Sequence, residues 1–227
     1  MEIFYERTKR MLGQEAIDRL IACHVAVLGV GGVGSWVVES LVRTGIGEIT
    51  LVDFDTIEYS NINRQIHALH SSVGEYKVDA MQRRAMDINP DVKVHTNKSK
   101  MTVDTNFDFL KEADYTIDCI DDVRAKVALI YWHVEQHKKI VSSMGTGNKF
   151  GTEPFKIVDI SKTKVCPLAR AVRQRLKKEG VYSGVPVLYS EELPYRTDVG
   201  QEKPGTVCFS PAIAGLTLGA YVVKELI

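Results

Sequence analysis

Two rhythms of apolar residues alternate along the first two thirds of the chain. Thr8 to Ile21 carries Met11, Ala16, Ile17 and Leu20 on one side, the spacing of an amphipathic helix. His24 to Val30 is a short β-type run ending in glycine, which predicts a buried strand. Val33 to Arg43 returns to helical spacing and stops at the Gly45-Ile-Gly47 turn, and Glu48 to Asp55 predicts the second strand. A polar loop without period follows from Thr56 to Val73, then a helix from Tyr76 to Asn89 halted by Pro90. Val92 to Thr96, Tyr115 to Asp121 and Lys139 to Met144 read as three more strands, with a helix from Val123 to Gln136 between the last two. Strand, helix, strand in this order predicts an α/β fold, a Rossmann-like doubly wound and mostly parallel sheet.

After Gly145 the rhythm changes. Phe155 to Ile160 and Val185 to Ser190 are strand-like, with a helix from Leu168 to Lys178 between them, so the C-terminal part adds mixed strands to the sheet. Leu193 to Gly205 is rich in Pro, Gly and charge and reads as an exposed loop. Ala212 to Val223 is too short a run to span a bilayer and reads as a buried helix. The expected organisation is one domain over 1–227: an N-terminal helix (1–22), a strand-and-helix core (23–145) and a C-terminal part (146–227).

The first chemistry appears where the first strand meets its helix. Gly29, Gly31 and Gly34, with Gly32 inside the set, fit G-x-G-x-x-G, whose glycines let backbone N–H groups approach phosphate at a helix N-terminus. Asp53 ends the second strand, roughly 20 residues on, where a ribose-binding carboxylate belongs. These residues alone suit NAD as well as ATP. Asn61, Asn63, Arg64 and Gln65 then cluster in one loop, Lys77 opens a helix, and Asp121 closes the fourth strand. Hydride transfer needs no such cations, whereas attack on a nucleotide phosphate builds negative charge that Arg and Lys stabilise and that a carboxylate-held Mg²⁺ offsets. Taken singly, Arg64 or Lys77 would be a solvated surface charge, and Asp121 or Asp122 would cap the following helix. As a set they point to ATP and its α-phosphate.

Charge and cysteine content narrow the picture. Lys plus Arg equals Asp plus Glu at 29 each, so a polyanion-binding surface has to be local. One such surface stands out: Lys162, Lys164, Arg170, Arg173, Arg175, Lys177 and Lys178 fall in a segment without an acidic residue. That stripe suits a phosphate backbone, and equally a solubilising helix face. Cys23, Cys119, Cys166 and Cys208 form no CxxC pair, so neither a structural zinc nor a disulfide framework is expected. The opening residues lack a signal-peptide pattern, and no membrane segment is expected, which together predict a cytoplasmic protein.

The motifs in order resemble the ubiquitin-activating-type adenylyltransferases of the ThiF/MoeB/HesA superfamily: Val27-Leu-Gly-Val-Gly-Gly-Val-Gly34, Asp53-Phe-Asp55, Asn61-Ile-Asn-Arg-Gln65, Lys77 and Asp118-Cys-Ile-Asp121. The resemblance covers residues 5 to 145. It implies that Asp53 holds the ATP ribose, with Asp55 beside it, that Asn61, Arg64 and Lys77 contact phosphates, and that Asp121 handles Mg²⁺ during adenylation. It also implies a homodimer in which Arg7, six residues before Gly13, reaches the partner's ATP site. Thr146-Gly-Asn-Lys149, Val158-Asp-Ile-Ser-Lys-Thr163, Arg43-Thr-Gly-Ile-Gly47 and Asn63-Arg-Gln-Ile-His67 are similar to the branch that closes threonylcarbamoyladenosine in certain tRNAs to its hydantoin form. That branch implies tRNA as substrate, held by Lys162, Lys164, Arg170, Arg173, Arg175 and Lys178, leaves room for a monovalent cation, and admits a sulfur-relay partner. The alternative is activation of a ubiquitin-like sulfur carrier ending in Gly-Gly, with Cys166 or Cys208 involved. A non-catalytic nucleotide-binding scaffold or an NAD-linked oxidoreductase is the reading from another class.

Overall fold

Seven strands in the order β3-β2-β1-β4-β5-β7-β6 form one sheet in the computed structural model, which describes residues 4–195 and 204–227. The strands are β1 (His24–Leu28), β2 (Glu48–Val52), β3 (Lys93–Asn97), β4 (Tyr115–Asp118), β5 (Ile140–Ser143), β6 (Phe155–Asp159) and β7 (Pro186–Ser190). All neighbours are parallel except β6 on β7 at one edge. The inner strands are buried over nearly all of their length because helices cover both faces. The helices are α1 (Glu6–Leu12), α2 (Gln14–Ala22), α3 (Gly32–Thr44), α4 (Lys77–Ile88), α5 (Val123–Glu135), α6 (Pro167–Lys178) and α7 (Phe209–Leu226). Leu41, Val78, Met81 and Leu218 fill one side of the sheet, and Leu129, Ile130, Val172 and Leu176 fill the other. Among the described residues no helix is long and apolar enough to cross a membrane.

The predicted N-terminal helix is two helices. Gly13 sits at φ 85° and ψ 165°, outside the helical region, and divides α1 from α2. Ala16, Ile17 and Leu20 are buried as their spacing predicted, but Met11 is 85% exposed and α1 buries no residue. The loop expected from Thr56 to Val73 is held by two short 3₁₀ turns and by an isolated bridge between Thr56 and Tyr76. Eight residues of the predicted Leu193 to Gly205 loop, 196–203, lie outside the described residues.

Helix α7 leans closely on α3. A side chain at Gly219 would set its Cβ 2.0 Å from Ser40 Oγ, and one at Gly215 would meet the Val33 carbonyl oxygen at 2.5 Å. The helix that opens at the glycine loop is thereby fixed from behind by the last helix of the sequence.

Candidate nucleotide and substrate site

The carboxyl ends of β1, β2, β4 and β5 share one rim of the sheet, the place where open α/β sheets bind ligands. The glycine loop leaves β1 there. Gly29 lies at φ 87°, against the backbone of the next strand's loop: a Cβ on it would stand 2.6 Å from the Cys119 carbonyl oxygen. A Cβ on Gly34 would stand 1.8 Å from the Gly29 carbonyl oxygen, so only glycine permits this turn. At Gly31 the surroundings open out, with only Gln65 Nε2 within 4 Å at 3.9 Å. Gly31 has no side-chain cap to offer, so the first N–H groups of α3 have neither an intrahelical nor a capping partner. An open cradle ending in free amides at the positive end of a helix fits a phosphate chain.

The Asn/Arg loop closes over this cradle. Arg64 Cγ and Cδ each come within 3.7 Å of where a Gly32 Cβ would be, so the side chain crosses the glycine loop. Its Nη1 donates to the Ser60 carbonyl at 2.7 Å and to Asn63 Oδ1 at 2.9 Å. Buried Asn61 accepts from the Glu58 amide through Oδ1 and shapes the turn that presents Arg64. Trp36 Nε1 donates to the Arg64 carbonyl, and Asn63 Nδ2 donates to the Thr206 carbonyl, tying the loop to α3 and to the segment before α7. Gln65 is buried, and its Oε1 has no hydrogen-bond partner among the described residues. An orphaned buried oxygen beside the cradle is a polar group that a bound ligand can satisfy.

Asp53 lies one residue beyond β2 rather than ending it. Its Oδ2 accepts from the Val30 amide at 2.7 Å and its Oδ1 from the Asp55 amide at 2.9 Å. The carboxylate thus braces the glycine loop and retains lone pairs for ribose hydroxyls. Burial pushes its pKa up, against the pull of Lys77 and the two amide donors. Lys77 is buried, its ammonium 2.6 Å from Asp55 Oδ2. In this arrangement Lys77 is not a free cation at the rim.

Asp121 requires a correction to the predicted strand. β4 ends at Asp118, because Asp118 Oδ1 accepts from the Ile120 amide at 3.0 Å and turns the chain. Asp121 therefore stands on the loop beyond the strand, exposed, with no hydrogen-bond partner among the described residues. The helix cap is Asp122, whose Oδ1 accepts from the Arg124 and Ala125 amides. The capping alternative thus falls to Asp122 and leaves the Asp121 carboxylate open to ligand. Among the described residues no three His, Cys, Asp or Glu side chains cluster to hold a metal alone. The exposed Asp121 carboxylate is the kind of single donor that Mg²⁺ takes from protein when substrate phosphates and water complete its shell.

Arg7 is far from all of this. Tyr5, just ahead of it, packs on Gly45 and accepts from Asn89 Nδ2, at the opposite end of the sheet. The basic stripe is mostly exposed, as α6 buries Ala169, Val172 and Leu176 and turns Arg170, Arg175, Lys177 and Lys178 outward. Arg173 departs from the predicted set. Its Nη1 donates to the Thr163 carbonyl at 3.0 Å and also bonds Thr163 Oγ1, tying α6 to the preceding turn. Lys164, Arg170 and Arg173 line a cleft of about 320 Å³ with Cys166 and Pro167. This cleft adjoins the same rim, since Cys166 Sγ and Leu168 Cβ lie 3.7 and 3.8 Å from where a Gly145 Cβ would be, just past β5.

The sequence reading missed a buried set beneath Asp121: Asp118, Lys126 and Ser142, all inaccessible to solvent. The signal was there, an Asp in an apolar strand and a Lys in the apolar first turns of α5. Of the cysteines, Cys119 beside the glycine loop has its thiol pushed up by burial to about 12, which removes it as a nucleophile at neutral pH. Cys166 is buried at the start of α6. If no thiol carries substrate, Cys166→Ala and Cys208→Ser will each keep most of the turnover. A trapped thioester in the unmodified protein would oppose that expectation.

The ThiF family model matches residues 5–227. The chain belongs to that family. Among ThiF-family relatives, a tRNA threonylcarbamoyladenosine dehydratase of Bacillus subtilis is 40% identical over 239 residues, spanning 98% of this chain and 94% of that one. The Escherichia coli protein of the same name is 38% identical over 215 residues, spanning 91% and 79%. The crystal structure of Escherichia coli TcdA in complex with ATP matches with a TM-score of 0.92 at 33% identity, covering 99% of this chain and 94% of that one. An adenylyltransferase and sulfurtransferase of Lodderomyces elongisporus is 35% identical over 130 residues, 57% of this chain.

Proposed function

We propose that this ThiF-family chain is an ATP-dependent tRNA threonylcarbamoyladenosine dehydratase working through an acyl-adenylate. The observation that carries this is the match along nearly the whole chain to dehydratases of that name, one of them solved with ATP. The match to the adenylyltransferase and sulfurtransferase reaches little more than half of the chain, which leaves the carrier-protein alternative with less support.

ATP enters as co-substrate with its phosphates over Gly29 to Gly34 and its ribose toward Asp53. A carboxylate oxygen of the substrate's threonine attacks the α-phosphorus, and the bond to pyrophosphate breaks. Arg64, lying over the cradle, offsets the charge gathering on the phosphate oxygens. Lys77 fixes Asp55, and reaches phosphate only by exchanging that partner. Asp121 would hold Mg²⁺, which supplies further charge neutralisation when bound. A nitrogen of the same substituent then attacks the activated carbonyl, closes a five-membered ring, gives up its proton and expels AMP. Ring closure is intramolecular and gains from proximity, so it asks for no enzyme thiol.

A homodimer completes the site in this reading. Arg7 cannot reach its own cradle from the far end of the sheet, and α1 leaves Met11 uncovered, as an element awaiting a second copy would. The tRNA backbone runs along Lys162, Lys164, Arg170, Arg175 and Lys178, with Arg173 bracing the stripe. Replacing Arg170 and Arg175 by Glu will raise KM for tRNA and leave ATP affinity unchanged, because the stripe is outside the glycine loop. Binding of tRNA should also weaken with log salt at a slope of roughly −0.7 to −0.9 per phosphate neutralised. Unchanged tRNA affinity and salt response in that variant would reduce α6 to a solvated face.

The deciding experiment measures pyrophosphate and AMP release on adding ATP to tRNA bearing threonylcarbamoyladenosine. Release with that tRNA, and ATP binding without NAD⁺ binding by calorimetry, is the expected result. Release only with a Gly-Gly carrier protein would move the function to the carrier branch.

A further inference from the structure

The loop that carries Asp121 is only four residues long, Cys119 to Asp122, and it is pinned at both ends. At its start Asp118 Oδ1 accepts from the Ile120 amide. At its end Asp122 caps α5. A third tie joins the two ends from below. Lys126, one turn into α5, donates from Nζ to Asp118 Oδ2 at 2.8 Å, to Ser142 Oγ at 3.1 Å and to the Ser143 carbonyl at 3.0 Å. Ser142 Oγ donates to the same Asp118 Oδ2 at 2.6 Å. All three ammonium protons and both carboxylate oxygens are used, with Asp118, Lys126 and Ser142 fully buried.

Stability alone is a poor reason for this set. A buried ion pair loses hydration on both sides, and apolar residues of similar volume often serve stability as well or better. What the pair supplies is direction. Asp118 is the last residue of β4, so the pair anchors both ends of the loop to the sheet at one point. The loop in turn backs the glycine turn, for there is no room for a Cβ between Gly29 and the Cys119 carbonyl. Moving Asp118 would therefore move Asp121 relative to the phosphate cradle.

We infer that Lys126 and Asp118, with Ser142, form a positioning clamp that sets the Asp121 carboxylate against the glycine cradle for the adenylation step. The clamp touches no substrate atom and acts through Asp121, so it rests on the role given to Asp121 above.

The test uses three backgrounds of the full chain: Asp121→Ala; Asp118→Asn with Lys126→Met, which keeps an acceptor for Ile120 and removes the charges; and the triple combination. Ser142→Ala is a milder fourth variant that removes one tie. Folding is checked by thermal melting, and ATP affinity by calorimetry. The clamp variant should bind ATP normally, raise the Mg²⁺ concentration for half-maximal turnover, and lose roughly 10- to 10²-fold in kcat, the scale of a small misplacement of a catalytic group. In single-turnover AMP release the clamp substitutions should add no further loss to Asp121→Ala, because they act through the group already removed. If the paired substitution does not fold, Ser142→Ala should show the same pattern with a loss of several-fold. Full turnover in Asp121→Ala would remove the role of Asp121 itself. With Asp121→Ala inactive, a folded clamp variant, or Ser142→Ala where the paired one does not fold, overturns the clamp if it keeps normal kcat and Mg²⁺ response. Losses that add to those of Asp121→Ala overturn it as well.

Discussion

Asp121→Ala will lower turnover on modified tRNA by about 10²- to 10³-fold while the protein stays folded and binds ATP, the usual loss for one preorganised electrostatic group. The fold should tolerate the change because the side chain is exposed and without a hydrogen-bond partner among the described residues, while Asp122 performs the helix cap. Surface substitutions of this kind usually alter stability by no more than about 0.5 kcal/mol. The comparison variant is Asp122→Ala, which removes the cap, costs about 1 kcal/mol of stability and should disturb turnover less. Thermal melting and steady-state kinetics on the two variants separate the roles. Turnover near that of the unmodified protein in Asp121→Ala would leave the exposed carboxylate without a function.

Arg7→Ala should be nearly inactive, and its activity should return in part on mixing with Asp121→Ala. An arginine that meets transferring phosphates from another subunit contributes on the order of 10³-fold or more where it has been removed. In the mixed dimer one site has its own Asp121 and the partner's intact Arg7, while the other has neither. Random pairing of equal amounts gives about a quarter of the normal number of complete sites in a two-fold dimer. Activity near that level identifies Arg7 as acting across subunits. A mixture as inactive as its parents, or a monomer at assay concentration, would remove Arg7 from the reaction.

The parallel core was legible because the inner strands are short runs centred on Val, Ile and Leu, and because helical spacing returns between them, as burial on both faces imposes. Two features were not. The break at Gly13 leaves no mark in the apolar spacing except Met11, which at about 3.6 residues per turn points away from Ala16, Ile17 and Leu20. β4 ends three residues before the expected Asp121: Cys119 and Ile120 continue the apolar run, and only the Asp118 side chain, accepting from the Ile120 amide, ends the ladder. Within the site the glycines, Asp53 and Arg64 stand together on one rim as their spacing implied. The Asp118–Lys126–Ser142 set was legible only in part. An Asp and a Lys in apolar surroundings mark two of its members, but the three come from different elements, and only the folded sheet sets Ser142 of β5 beside β4.

The close fit of α7 on α3 also bears on the order in which the protein is made. Pro211 Cβ lies 3.3 Å from where a Gly32 Cβ would be, and Gly215 and Gly219 let α7 settle against α3 from Val33 to Ser40. The glycine loop leaves the ribosome early, but the helix that backs it is synthesised long afterwards. Until then the apolar face of α3 that α7 covers is open to solvent and to other nascent chains, the exposure that makes long-range folds slow and prone to aggregation. A ribosome-bound chain stalled before Phe209 should therefore fail to retain ATP, although every residue of the glycine loop is already outside the exit tunnel.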